Sequence, residues 1–414
     1  MPANDDTIFA LASGQGKAGV AVIRVSGRNL DFLPGNIGPR FANLVDFYGL
    51  DNLIAIYFPA PNSFTGEDVV ELHCHGGIAV INSIFDKLKS FGFRMAERGE
   101  FSRRAFDNGK MDLVEVDSMR ALVDAKTESQ RRRALKGLAG ADSEVYTRWR
   151  DAMIELAALS AARLDYGPDD LPKDVNEKIA EKTAELADGI KKALNSRAKI
   201  IEAGFDIVLA GETNVGKSSL FNRLIGESRA IVSDIAGTTR DVISAELDID
   251  GYLVRLSDTA GLREANDEIE KIGINMTNAR LKDADLILWV YDKNTDEKKD
   301  GIVVVNKSDL ITVRKSGAIY VSAKTGDGVP ELMDLIGRKI HSKLDGAEND
   351  LAVNDRTKTH LRNAFLELEK VSGATVDLES EHIMNAANEI GRALGIIGTE
   401  EIYDSLFGQL CLGK

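Results

Sequence analysis

The period of apolar positions changes along the chain and divides it into stretches. Up to about residue 110 the apolar residues come in short runs: Val20 to Val25 (VAVIRV), Leu53 to Phe58 (LIAIYF) and Val69 to His73 (VVELH). Gly, Pro and Asn clusters separate them, which reads as strands joined by turns. From 112 to about 200, Leu113, Val116, Met119, Leu122 and Val123 recur at helical spacing in a stretch rich in Ala, Glu, Lys and Arg. Only Pro168 and Pro172, in YGPDDLP, interrupt it. Residues 205 to about 340 alternate: FDIVLA, YLVRLSD, ADLILWVYD, GIVVVNK and AIYVSAK read as strands, with helices starting at Lys217, near Glu268 and at Pro330. Continuous apolar strands alternating with helices imply a parallel sheet covered on both faces. Helical spacing then returns with Leu361, Phe365, Leu368 and Val371. The pattern predicts a chain that is α/β and α+β multidomain. An N-terminal α+β domain spans 1–111, and a helical domain is split into 112–203 and 343–414. An α/β domain, 204–342, is inserted between those parts. No internal repeat or low-complexity tract is evident.

Composition narrows the class. The 414 residues carry 52 Lys+Arg against 66 Asp+Glu, a formal charge of −14. Affinity for nucleic acid comes largely from cations neutralising phosphates, so this is a poor stand-alone polyanion binder. The two cysteines, Cys74 and Cys411, are no disulfide framework and fit a reducing compartment. The first residues lack a basic region and a long apolar stretch, so no signal peptide is expected. No run approaches the ~20 apolar residues that span a bilayer. The expectation is a cytoplasmic protein with no membrane contact.

The chemistry concentrates in the inserted domain. Gly211-Glu-Thr-Asn-Val-Gly216-Lys217-Ser218 matches G-x-x-x-x-G-K-S, directly after the strand FDIVLA and at the start of a helix. Glycines let the backbone curl so that its N–H groups face phosphates, and the helix N-terminus adds partial positive charge. Asn214, Val215, Gly216, Lys217, Ser218 and Ser219 would line the phosphates, with Lys217 at the β/γ-phosphates and the Ser218 hydroxyl on Mg²⁺. Downstream stand Gly237-Thr-Thr-Arg-Asp241, Asp258-Thr259-Ala260-Gly261, Asn306-Lys307-Ser308-Asp309 and Ser322-Ala323-Lys324. Each falls at the C-terminal end of a strand run or in the next loop, where open α/β sheets bind ligands. Thr239 supplies a second Mg²⁺ hydroxyl, Asp258 the Walker-B-like carboxylate, and Gly261 an N–H for the γ-phosphate. Asp309 accepts the two N–H groups of guanine's N1/N2 edge, a donor pair that adenine lacks. The five elements in order predict that the inserted domain is a Ras-like P-loop GTPase domain that binds and hydrolyses GTP.

One position bears on mechanism. A Gln after DxxG orients the attacking water in Ras-like enzymes, whereas Leu262 stands here. Asn214, with carbonyls from the Ser233 to Thr238 loop, can hold a monovalent cation whose charge stabilises the phosphoryl group. Glu264, Glu268 and Glu270 are candidates to position the water; an exposed acidic helix start is the plainer reading of each.

DTIFALASG, GVAVIRVSG, FPAPNSFTGEDVVELHCHGG, GEFSRRAFDNGKMDL, DTAGLR and the final Cys411-Leu-Gly-Lys414 together make the chain resemble the MnmE (TrmE) family of tRNA-modification GTPases, from residue 7 to the last residue. The resemblance implies that the N-terminal domain binds a one-carbon tetrahydrofolate and forms a homodimer. Arg24, Glu71 and Lys110 match its folate-contacting positions, with Lys414 near the same pocket. Glu270, Cys411 and Lys217 become the catalytic candidates: Glu270 positions water and Cys411 serves the modification. The potassium positions match Asn214, Ser233, Ile235 and Thr238. The implied partner is the FAD protein MnmG, in a heterotetramer that builds an aminomethyl or carboxymethylaminomethyl group on the wobble uridine of tRNA; FAD enters only through that partner, and tRNA mainly through the complex.

There are departures and plainer readings. Tyr291 to Gly301 is too short for the helix expected before the NKSD strand, and Leu310 to Ala318 is brief, so guanine-side packing is expected to suffer. Glu212-Thr213, Ser233 and Leu412 stand where the family usually has other residues. His73-Cys74-His75 invites a metal, but structural or catalytic zinc needs three or four protein ligands, and a strand-end turn before Gly76-Gly77 is the reading taken. Arg131-Arg132-Arg133 is a solvated helix face or, alternatively, a tRNA contact. The functional alternative is a regulatory GTPase, for example in ribosome assembly, working only through nucleotide-dependent partner binding.

Overall fold

A computed structural model describes residues 6–28, 30, 32–35, 37–165, 174–231, 244–258, 280–295, 297 and 299–397. They belong to two compact units, one of Met1–Arg120, Ser143–Thr183 and Leu366–Lys414, the other of Ala121–Asp142 and Ala184–Phe365.

The chain opens with strands β1 (Ile8–Leu11), β2 (Val20–Gly27), β3 (Asn43–Asp46), β4 (Asn52–Phe58) and β5 (Asp68–His75). Helix α1 (Ile78–Ser90), strand β6 (Arg94–Met95) and helix α2 (Glu100–Asp107) follow. The sheet order is β3-β4-β5-β2-β1-β6, antiparallel except where β1 meets β6. Strand alternation sends Ala21, Ile23, Val25, Val70, Leu72 and Cys74 into one core with Ile84 and Leu88 of α1. The opposite face carries Arg24 and Glu71, directly across from one another. The ladder continues through Ala21↔Cys74 and Val20↔His75, so His73, Cys74 and His75 lie within β5. That corrects the strand-end turn. Backbone pairing with β2 outlasts the apolar run, and the chain turns only at Gly76, where a Cβ would stand 2.4 Å from the Ala18 carbonyl oxygen.

Helices α3 (Leu113–Asp124), α4 (Glu128–Leu138), α5 (Ala141–Asp165), α6 (Val175–Leu194) and α7 (Ala198–Ala203) come next. A capping box starts α3: Asp112 Oδ1 accepts the N–H groups of Val114 and Glu115 at 2.8 and 2.9 Å, and Glu115 accepts the Asp112 N–H at 2.9 Å. The YGPDDLP break falls on 166–172, outside the described residues, between α5 and α6. On α4, Arg131 and Arg132 both donate to Glu128 and hold its carboxyl down at about 2. Arg133 is 1% exposed and pairs with buried Asp142. The triple-arginine run is thus two ion-paired surface residues and one core residue.

The second sheet contains β7 (Phe205–Ala210), β8 (Arg229–Ala230), β9 (Ser244–Ile249), β10 (Tyr252–Asp258), β11 (Leu286–Tyr291), β12 (Ile302–Val305) and β13 (Ile319–Tyr320). Helix α8 (Lys217–Glu227) follows β7; α9 (Val329–Leu344), α10 (Asp355–Val371) and α11 (Val376–Leu394) follow the sheet. Strand order is β13-β12-β11-β7-β10-β9-β8, parallel apart from the β8-β9-β10 meander. Ile207, Leu209, Leu256, Leu288 and Val304 bury one face against Leu220, Leu224, Leu332, Ile336 and Ile340 of α8 and α9. The expected helix near Glu268 lies outside the described residues.

Among the described residues, two crossovers in this sheet carry no α-helix. Between β11 and β12 no described residue is helical, and between β12 and β13 there is only a 3₁₀ turn at Ser308–Leu310. Parallel neighbours are joined by a crossover of a dozen or more residues, usually a helix. Here polar contacts do the closing. The Trp289 indole N–H donates to the Asp300 carbonyl at 2.8 Å, and the Lys299 ammonium sits 5.1 Å from the Trp289 ring centroid. These contacts tie the β11–β12 connection back onto β11.

Candidate nucleotide site

The strand order reverses at β7, whose neighbours β10 and β11 lie on opposite sides, and the 211–216 loop leaves the sheet there. Such switch points are where open α/β sheets bind ligands. Gly216, at φ +91°, is the residue before α8, and Asn214 also takes the left-handed backbone at φ +64°. A Cβ on Gly216 would lie 2.3 Å from Asn306 Nδ2, so the close approach requires glycine.

Asn306 joins three motifs. Its amide donates to the carbonyls of Val215 and Gly216 at 3.0 and 3.3 Å, and its carbonyl accepts the Ala323 N–H at 3.0 Å. Asp309 Oδ1 accepts the Ser322 hydroxyl at 2.7 Å, which fixes one edge of the carboxylate beside the Ser322-Ala323-Lys324 turn. Ser218 donates its hydroxyl to Asp258 Oδ2 at 2.8 Å. Two of the three residues expected at Mg²⁺, drawn from motifs 40 positions apart, are thereby in contact. Hydroxyl and carboxylate oxygens are the donor set a hard divalent cation takes. Lys217 is 6% exposed, and its ammonium bonds the carbonyls of Gly211 and Glu212 at 3.1 and 2.7 Å. Val215 is buried under the loop, and Ser219 is the third residue of α8.

Two residues, Asp292 and Asn294, escaped the sequence reading. Lys307 Nζ bonds both the Asn214 carbonyl, at 2.9 Å, and Asp292, at 3.0 Å. Asn294 Nδ2 donates to the Val313 carbonyl at 3.0 Å, and its side-chain oxygen accepts the Tyr320 hydroxyl. A lone polar residue after an apolar strand gives no signal of partners that lie across a loop.

In the N-terminal domain, Arg24 and Glu71 form an ion pair at 2.9 Å. The Arg24 guanidinium lies 5.0 Å from the Phe64 ring centroid and 5.9 Å from that of Phe101. Lys110 packs its stem against Gly66, two residues along the same loop. The resemblance-bearing stretches SFTGED and GEFSRRAF meet below. Arg104, 4% exposed, bonds Glu67 at 3.0 Å and Asp6 at 2.7 Å, and Ser26 links Thr65 and Glu67. Burial raises the Glu100 carboxyl, but the hydrogen bond from Arg94 and those around it overrule burial and leave it lowered. Among the described residues no group of three His, Cys, Asp or Glu could hold a metal. His75 instead pairs with Asp51 at 2.7 Å and His73 with Glu71 at 3.4 Å. Burial, with Asp51 beside it, pushes the Cys74 thiol up to about 11, as an unreactive core residue. Ser233, Ile235, Thr238 and Thr239, Thr259 to Gly261, Glu264, Glu268 and Glu270, and Cys411 and Lys414 all lie outside the described residues.

A mostly parallel sheet with a phosphate-loop motif at its switch point, a Ser218–Asp258 hydrogen bond beside it and an NKSD carboxylate braced by SAK define a P-loop GTPase. A model of the GTP-binding protein TrmE N-terminus matches residues 7–110, and one of the MnmE helical domain matches 113–411. The chain is 40% identical to the tRNA modification GTPase MnmE of Rhizobium etli, covering 99% of each chain, and 40% identical to that of a Wolbachia from Culex pipiens, covering 100% of each. That of Brucella anthropi is 38% identical, over 99% of this chain and 98% of the relative. The chain belongs to the MnmE family of tRNA-modification GTPases. The Rhizobium alignment spans 435 positions against 414 residues here, so at least 21 positions have no counterpart in this chain (435 − 414). Among the described residues no helix is long and apolar enough to cross a membrane.

Proposed function

We propose that this chain hydrolyses GTP with potassium activation and, with the FAD protein MnmG, forms the aminomethyl or carboxymethylaminomethyl group on the tRNA wobble uridine from a one-carbon tetrahydrofolate. The reading has it acting as a homodimer in the cytoplasm, with tRNA held mainly by the complex. The observation that carries it is the joining of two unlike sites in one family member: a braced guanine-and-phosphate site, and an Arg24–Glu71 pair set against Phe64 and Phe101. A switch acting only by partner binding has no need of the second.

In this reading Lys217 leaves the carbonyls of Gly211 and Glu212 for the β/γ-phosphates, and the 211–216 backbone encloses them. Ser218 and Asp258, with Thr239, hold Mg²⁺, which neutralises phosphate charge. Asn214, Ser233, Ile235 and Thr238 hold potassium, whose fixed charge stands in for an arginine finger. Glu270 orients the water, and Asp309 reads guanine. Arg24, Glu71, Lys110 and Lys414 hold the folate, and Cys411 acts in the modification. Aromatic rings beside a guanidinium suit a flat, anionic ligand.

Two measurements on the full chain test the proposal. Hydrolysis is expected to be fast in K⁺ and slow in Na⁺, with Asn214→Ala removing the difference; equal rates in the two salts would remove the potassium role. Folate binding is expected in the parent and lost in Arg24→Ala, and an absence of binding by the parent would favour the partner-switch alternative.

A further inference from the structure

We propose that Asp292 and Asn294 are positioning residues for guanine recognition: the short turn after β11 straps the guanine-reading loop in place, where the sheet has no helix to brace it. Asn214 and Lys307 both hold left-handed backbones, at φ +64° and +58°. Non-glycine residues keep that conformation only when their surroundings fix it. One ammonium joins them, because Lys307 Nζ donates to the Asn214 carbonyl while Asp292 anchors it from the other side. Lys307 begins the 3₁₀ turn that carries Asp309. Two residues past Asp292, Asn294 grips the opposite end of the same stretch through the Val313 carbonyl and the Tyr320 hydroxyl, and Tyr320 in turn accepts the Lys315 N–H at 2.6 Å. Thus Ser308–Leu310 is tied on both flanks by a turn that a helical crossover would carry away from it. Asp292 acts through Lys307, and Asn294 through Val313 and Tyr320.

The inference rests on Asp309 as the acceptor for guanine's N1 and N2 donors. Inosine diphosphate, which lacks the 2-amino group, separates the two readings. If the parent does not prefer GDP over inosine diphosphate, the Asp309 reading fails; if the parent prefers GDP and the variants keep that preference, the strap fails. Asp292→Asn is isosteric, and the Asp292–Lys307 pair is over a third exposed. GDP dissociation is therefore expected to speed up roughly two- to fivefold, the range for an exposed ion pair. Asp292→Asn with Asn294→Ala should reach about tenfold. Stopped-flow dissociation of both diphosphates from the full chain is the assay, with melting of the nucleotide-free protein alongside. The strap predicts that GDP is weakened more than inosine diphosphate while melting stays near the parent's. Unchanged GDP dissociation, or equal weakening of both nucleotides, would overturn it. If the double variant does not fold, the single Asp292→Asn change carries the same comparison.

Discussion

Asn306→Ala offers the sharpest perturbation of the nucleotide site. The side chain is 2% exposed and makes three hydrogen bonds, to Val215, Gly216 and Ala323. At roughly 1 kcal/mol each, their loss costs about 3 kcal/mol, and the Ala323 N–H is left without its acceptor, which pushes the figure upward. In a unit of about 200 residues that corresponds to a fall of roughly 6–12 °C in melting temperature. The same bonds hold the phosphate loop to the guanine side, so GDP release should accelerate as well. The assay pairs calorimetry of the nucleotide-free protein with dissociation of a fluorescent GDP analogue. Asn306→Asp is expected to be worse for the nucleotide than alanine, since it turns a carboxylate oxygen toward two carbonyls. A melting temperature within about 2 °C of the parent, with unaltered GDP release, would show that Asn306 does not join the motifs as described.

Three further outcomes are expected. Arg133→Met should cost about 3–5 kcal/mol in chemical denaturation, because it strands buried Asp142, and Asp142→Leu added to it should recover most of the loss; additive losses would contradict the pairing. Cys74 should resist alkylation at pH 8 in the native protein and react once unfolded, as read by mass mapping of its peptide. Its folded value of about 11 lies above the ordinary 9.0, so its contribution is fully present below pH 9 and fades as pH rises from 9 toward 11, by roughly 2–3 kcal/mol in all; labelling of the native peptide at pH 8 would count against this. Asp309→Asn should move base preference from guanine toward xanthine, since an amide donates to the O2 that xanthine carries; competition between the two diphosphates reads the change, and a retained guanine preference would displace Asp309 from its role.

The G-domain strands and the phosphate loop were legible because a buried parallel strand is a continuous apolar run and the loop's glycines are fixed by backbone geometry. The missing helices were legible too, from connection length alone. Three features were not. β5 runs on through His75 because its ladder to β2 is set by backbone pairing, while His-Cys-His before two glycines reads as a strand's end. Arg133 looks like its neighbours in a charge run, yet successive helix positions turn by about 100°, which places it on the buried face with Gln130 and Ala134. Asp292 and Asn294 acquire meaning only when sheet order brings β11 and β12 side by side.

The most direct test of the central claim is the content of modified wobble uridine in tRNA from a strain lacking its own family member. Complementation with this chain should restore the aminomethyl-type modification, and complementation with Ser218→Ala, which breaks the Ser218–Asp258 pair, should not. Unmodified tRNA despite soluble, GTP-hydrolysing protein would contradict the account, as would full modification by the Ser218→Ala chain.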